Sequence, residues 1–372
     1  MPRFDNLTVA RFAAALLVFF HHSSPLEYEA ITSPFWTNFA KNGHVGVSFF
    51  FILSGFVLAA SNLDKLEKFT VGGSLYFYWK RIARIVPLWL LVSAPFIIKA
   101  VHEGDPKLWP FLSFTQAWSA DVFVSFGLLA VAWTLSVEMF FYFMFPFIAV
   151  ALRPLKGRWL GPVLILVGMA IPAAGAYYYW VNPDMAAIFF PEPNSSHRWL
   201  YRMPVTRLGQ FIAGIGIFLA IARCNVRMNR LASSTVLLLA VILLFACMGL
   251  MEQGKAFWVM PYALIFVVIV LMLAKIETLG LRVTWKLPIL LGEASFAFYL
   301  IHQFYFKAAL LPPLTAFSGL RLAQVEVLIA TMATSIGLYL MVETPARDLL
   351  LRVLHIRSSM PKVTVSEKVQ GD

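Results

Sequence analysis

Charge is scarce in this sequence. Only 13% of its 372 residues are Asp, Glu, Lys or Arg, about half the share found in soluble domains. Cysteine is nearly absent. Cys224 and Cys247 stand in or beside apolar stretches, which excludes a disulfide framework and a CxxC metal knuckle. His21 and His22 are adjacent and point apart on a helix, so no metal-ligand spacing is visible. There is no GxSxG elbow, no phosphate-binding P-loop and no dinucleotide glycine motif. No repeat, low-complexity tract or appended soluble domain is evident. The first apolar run lacks small-residue cleavage chemistry after it, and it reads as a membrane helix rather than a signal peptide.

What the chain has in abundance is apolar surface, at 60% of residues. Run after run is long enough to cross a bilayer core of roughly 30 Å. Helices are expected near 8–24, 44–61, 83–101, 133–152, 160–180, 204–222, 231–250, 257–275, 289–311 and 323–342. The fold class is all-α, a polytopic integral membrane protein with about ten transmembrane helices. Residues 1–347 form one membrane domain, and 348–372 form a cytoplasmic tail ending in the disordered-looking PKVTVSEKVQGD. With the N-terminus inside, 21 of the 30 Lys and Arg fall on the inner side and nine on the outer. That asymmetry places both termini in the cytoplasm. The net charge of +11 therefore records orientation, and the partner is the bilayer, not nucleic acid. Outer loops are expected at 25–43 and 102–132, and 108–132 is apolar enough to be re-entrant.

A few polar groups interrupt the apolar spans. In RFAAALLVFFHH, Arg11 and His22 are eleven residues apart. They share one helix face about 16 Å apart along the axis, while His21 lies about 100° away. An ionisable group inside a span points to function. The alternative is that Arg11 snorkels to the interface and the histidines mark it. Glu138 in WTLSVEMFFYFMFP calls for a cation or for proton chemistry. His302, His44 and Arg207 lie at a similar outer depth and together suggest a cavity lining, although His44 and Arg207 singly read as structural hydrogen-bonding residues. At the inner mouth, Lys80, Arg81 and Arg84 in YFYWKRIARIVPLW make a basic patch at a helix start. It serves either as positive-inside anchoring or as a bidentate phosphate site. Tyr76, Tyr78 and Trp79 read as interfacial belt. Gly46 and Gly55 in GVSFFFILSGF read as close helix packing. Glu343 and Arg347 in VETPAR read as a structural i,i+4 pair.

These stretches, taken in order from residue 11 to about 347, resemble the acyltransferase-3 family, integral-membrane enzymes that acylate extracytoplasmic carbohydrates. The motifs are Arg11-x10-His22, GVSFFFILSGF, Arg81-x-x-Arg84 followed by IVP, WTLSVE, SFAFYLIHQ and VETPAR. The resemblance implies an inner-membrane enzyme with acyl-CoA, commonly acetyl-CoA, as donor substrate and no tightly bound cofactor. The implied acceptor is a glycan hydroxyl reached from outside. It implies that His22 is essential and that Arg11, Arg81 and Arg84 are functional. Met139 stands where the family often has a second acid, which puts the weight on Glu138. Some family members add an esterase-like domain; without one, acceptor handling falls to the membrane part. In the resulting scheme Arg81 and Arg84 hold the CoA phosphates. Arg11 steadies the phosphates or the pantetheine arm. His22 acts as general base oriented by Glu138 or, alternatively, forms an acyl-histidine. His21, Ser136 and His302 are lining residues. The rival is a proton-coupled transporter, which would move substrate unchanged, but no pair of broken helices recurs in two halves. A receptor-like protein gives no reason for an arginine and a histidine in phase on one helix.

Overall fold

The computed structural model describes residues 4–23, 33–66, 71–182, 195–224, 228–251, 259–309 and 320–358, and among them every regular element is helical. Each expected span has its helix. They are α1 (Asp5–Ser23), α2 (Pro34–Lys41), α3 (Gly46–Leu66), α4 (Val71–Glu103), α5 (Leu108–Leu112), α6 (Val122–Ser125), α7 (Trp133–Leu152), α8 (Leu160–Val181) and α9 (Pro204–Arg223). There follow α10 (Arg230–Leu250), α11 (Val259–Thr278), α12 (Lys286–Glu293), α13 (Ser295–Ala309), α14 (Leu320–Leu338) and α15 (Thr344–Ser358). Among the described residues eight helices are long and apolar enough to cross a membrane, or nine if α12 and α13, bent by 70°, count as one span. The α1 helix falls short of that apolarity because Asp5, Asn6, Arg11, His21 and His22 sit within its 19 residues. The chain is a multi-pass membrane protein.

Three elements differ from the sequence expectation. The α4 helix starts at Val71 rather than near 83 and runs 33 residues with Pro87 and Pro95 inside it. Nothing in GSLYFYWKRIARI breaks a helix, and membrane helices tolerate interior proline because neighbours satisfy the freed backbone. Arg81 therefore lies about 15 Å along the helix rather than at its mouth. The ninth span breaks at Ala294, where Gly292 packs so tightly on α1 that a Cβ would strike the Thr8 carbonyl. The tenth passes through a π-helical turn, Tyr339–Glu343, into α15, which runs across the expected tail boundary at 347. The stretch expected to be disordered lies outside the described residues, as do residues 25–32 of the expected loop 25–43 and Lys68, while residues 34–41 of that loop form α2.

The connection 104–132 is a run of short turns, not one long element. Gln116 Nε2 donates to the Ala132 carbonyl at 2.9 Å, and the Ala117 amide to Ser136 Oγ at 3.3 Å. Arg202, 1% exposed, ends the π-helical turn His197–Arg202 and donates to the Ser119 and Ala120 carbonyls at 2.7 and 2.9 Å and to Ser125.

Inside a bilayer apolar surface gives helices no drive to associate, so close backbone approach must hold them. The α9 helix is the hub. A Cβ on Gly214 would collide with the Ile52 carbonyl of α3, and one on Gly55 with the Phe211 carbonyl of α9. Gly216 and Gly209 meet Gly161 and Gly168 of α8 in the same way. On the other side, Gly43 and Gly46 sit against the Leu17 and Ala14 carbonyls and seat α1 on the start of α3. The N-terminus of α1 is capped from α11, where Glu277 accepts from the Asp5 and Asn6 amides at 2.7 and 3.0 Å. A carboxylate satisfies the free amides of a first turn and complements the helix dipole. Overpacking such a contact costs about 1–3 kcal/mol. Gly214→Val should therefore lower the thermal midpoint of the detergent-solubilised protein by several degrees, whereas Gly72→Ala, with nothing within 4 Å, should leave it unchanged. Equal midpoints for Gly214→Val and wild type would contradict the hub assignment.

Candidate functional site

Five helices bring polar groups to one cleft. Its wall carries Arg11 from α1, Ser54 from α3, Arg81 and Arg84 from α4, Thr134, Glu138 and Tyr142 from α7, and Ser295 and Tyr299 from α13. Between them the wall is apolar, with Phe50, Leu53, Val57, Leu58 and Ile85. Arg81 and Arg84, three residues apart, share a face of α4. Among the described residues none of the three arginines is in an ion pair. The Arg81 guanidinium lies over the Phe77 and Tyr142 rings at 5.7 and 5.9 Å, and its Nε is buried without a partner. The Tyr142 hydroxyl donates to Glu138 Oε1 one turn away on α7. Three cations facing one cleft whose wall carries the single carboxylate Glu138 suit an anionic guest, since excess buried charge of one sign is costly.

The second cluster lies further along α1. His22 Nδ1 is 2.9 Å from His302 Nε2 on α13. His302 Nδ1 lies 2.7 Å from the Tyr299 carbonyl oxygen, and His22 Nδ1 lies 3.0 Å from that of Val18. Phe19, Phe298 and Phe306 surround the His302 ring. His21 points elsewhere, as the turn per residue requires. Its Nδ1 is 2.7 Å from the Lys41 carbonyl oxygen and its ring is 5.1 Å from His44, which reaches the same carbonyl at 3.1 Å. Tyr299 belongs to both clusters. Its ring lines the arginine cleft, its hydroxyl donates to the Val131 carbonyl at 3.3 Å, and its own carbonyl holds His302.

The structure thus gathers Arg11, Arg81, Arg84 and Glu138 in one place and His22 and His302 in another. Glu138 turns to Tyr142 and the arginine cleft, and His302 stands against His22 in its stead. Ser136 faces the 116–118 turn rather than the cleft. Arg207 bonds the Tyr201 carbonyl at 2.6 Å, Ser48 at 3.1 Å and Gln210 at 3.2 Å, a structural set. The expected Glu343–Arg347 pair is not made, because Arg347 Nε turns to Asp348 at 3.0 Å. Sequence reasoning passed over Tyr142 and Tyr299. The signal for Tyr142 is its i+4 spacing from Glu138; nothing local marks Tyr299.

Residues 4–341 match the acyltransferase domain family model. The chain belongs to the acyltransferase family. It is 29% identical over 81% of its length to the acyltransferase MdmB of Streptomyces mycarofaciens, covering 78% of that protein. It is 26% identical over 82% of its length to the exopolysaccharide production protein ExoZ of Rhizobium meliloti, covering 89% of that protein. A shorter likeness, 26% over 41% of the chain and 27% of the relative, is to the peptidoglycan O-acetyltransferase OatA of Listeria monocytogenes. No solved structure matches the chain. The protein is a membrane O-acyltransferase, and the two clusters are its candidate machinery. Tyr142→Phe deletes one hydrogen bond worth about 1 kcal/mol, so transfer should fall roughly fivefold at unchanged membrane level. A wild-type rate for that variant would remove the Tyr142–Glu138 contact from the working site.

Proposed function

We propose that this acyltransferase takes the acyl group, in the form of acetyl, from a cytoplasmic acyl-CoA and esterifies a hydroxyl of an extracytoplasmic or membrane-linked glycan. The observation that carries the reading is the cleft with three arginines and no ion-pair partner among the described residues. The donor is a phosphate-rich nucleotide with a long thin arm. Arg81 and Arg84 hold its phosphates, since guanidinium groups clasp phosphate bidentately. Arg11 holds the phosphates from the opposite wall. The arm follows α1 for the roughly 16 Å from Arg11 to His22, which puts the thioester beside the histidine pair. The excess of Lys and Arg on alternate loops supports an inner membrane location with the arginine end facing the cytoplasm and both termini inside. The names of the exopolysaccharide and peptidoglycan relatives support a glycan acceptor.

The chemistry is a direct displacement. His22 takes the proton of the acceptor hydroxyl as its oxygen forms a bond to the thioester carbonyl carbon. The carbon–sulfur bond then breaks, and the imidazolium returns the proton to the leaving thiolate. Histidine suits this because it exchanges a proton near neutral pH. Glu138, tied to Tyr142 beside the arginines, offsets their mutual repulsion and keeps the cleft formed. The transporter reading predicts movement without a new bond; family membership supports the enzyme.

Membrane vesicles given radiolabelled acetyl-CoA and glycan acceptor should form a base-labile glycan ester. His22→Ala, at matched membrane level, should lose about two to four orders of magnitude of rate, the usual contribution of a positioned base. Arg81→Gln and Arg84→Gln should each raise KM for the donor by about tenfold or more, since charge-assisted hydrogen bonds are worth about 1.5–3 kcal/mol, with a smaller change in kcat. Full transfer by His22→Ala would overturn the mechanism. Label carried across the membrane without esterification would put the transporter ahead.

A further inference from the structure

We infer that His302 is a positioning residue which, by accepting a hydrogen bond from His22 Nδ1–H, directs His22 Nε2 as the reacting nitrogen. The inference rests on the acyltransferase reading of His22. It follows from which neighbours can only accept.

His302 Nδ1 is 2.7 Å from the Tyr299 carbonyl oxygen. A carbonyl has no proton to give, so Nδ1 carries the ring proton. In a neutral imidazole the other nitrogen is then a bare acceptor. That nitrogen, Nε2, is 2.9 Å from His22 Nδ1. A contact between two bare nitrogens would be repulsive, so His22 Nδ1 must carry its proton. The second neighbour of His22 Nδ1, the Val18 carbonyl oxygen at 3.0 Å, is also an acceptor only. Both neighbours select the same tautomer and leave the lone pair on His22 Nε2.

The two acceptors act differently. Val18 is one turn back on the same helix, so its contact constrains where the proton sits. His302 stands on another helix and constrains the plane of the His22 ring, and with it the direction of Nε2. His302 can do so because it is itself held. It is 1% exposed and packed against Phe19, Phe298 and Phe306, and no carboxylate is bonded to either ring among the described residues. When His22 accepts a proton during transfer, its Nδ1–H still points at the His302 lone pair, which stabilises the transient imidazolium. The arrangement does what a carboxylate does in a hydrolytic triad, with a neutral ring that costs less to bury. It also explains how His22 can be held although Glu138 faces the other cluster.

Three variants separate this role from ordinary core packing. His302→Gln places an amide oxygen where Nε2 stood and keeps an acceptor for His22. His302→Asn reaches only the Tyr299 carbonyl. His302→Leu fills the space with neither bond. For protein of matched thermal midpoint, the glutamine variant should retain kcat within about threefold of wild type. The asparagine and leucine variants should fall roughly tenfold or more, and KM for acetyl-CoA should stay constant throughout. A second reading needs no activity. In ¹⁵N NMR of histidine-labelled protein in nanodiscs, the signal missing from His22→Ala should show a protonated Nδ1 and a bare Nε2. A His302→Leu variant with wild-type kcat, a glutamine variant as poor as leucine, or a His22 protonated at Nε2 would each overturn the inference. If wild-type protein made no ester at all, the acyltransfer reading would fail while the NMR result still decided the tautomer.

Discussion

Three guanidinium groups around one cleft inside a helical membrane bundle repel one another, and the low dielectric of their surroundings strengthens that repulsion. The rest of the structure is arranged to keep them there. The α1 helix carries Arg11 and is fixed at its start by the Glu277 carboxylate and along its length by Gly43, Gly46 and Gly292. The α4 helix starts early and runs unbroken past Arg81 and Arg84 despite two prolines. The α7 helix supplies Glu138, steadied by Tyr142. Glu343, 2% exposed with an unpartnered Oε2, adds a buried carboxylate at the end of the π-helical turn. On the proposed reading, a polyanionic donor adds further negative charge to the cluster while it is bound.

The second half of the design is a connection. Arg11 and His22 share a face of α1, and Tyr299 links the same two levels on α13 by lining the cleft with its ring and fixing His302 with its carbonyl. Two helices therefore link the arginine level with the histidine level. On the proposed reading, a donor anchored by phosphate at one end is presented by its thin arm at the other, which is the kind of positioning that turns binding energy into rate. The tight glycine contacts of α3, α8 and α9 hold the bundle to that geometry.

Much of the fold was legible from apolar run length alone, because a bilayer leaves few alternatives to helices. The phase of Arg11 and His22 was legible too, since it depends only on the turn per residue. What escaped was set by tertiary packing. The early start of α4 was masked by charged residues that interrupt its apolar run. The break at Ala294 reflects how Gly292 meets Thr8, a contact 284 residues apart in the chain. The pairing of His22 with His302 depends on that break and on the approach of α13 to α1, so no local pattern announces it. Glu138 was expected beside His22 because both lie at similar depth, but depth alone does not fix which way a helix face turns.

Whether one donor spans the two clusters is decided by photolabelling with an acetyl-CoA analogue whose acyl group carries a diazirine. After illumination of the purified protein in nanodiscs, mass spectrometry would locate the labelled residues. Labelling is expected around His22 on α1 and His302 on α13, abolished by excess CoA and lost in the Arg81→Gln, Arg84→Gln double variant. Labelling confined to the walls around Arg81 and Arg84, or undiminished in that double variant, would contradict a donor anchored in the arginine cleft and reaching to the histidine pair.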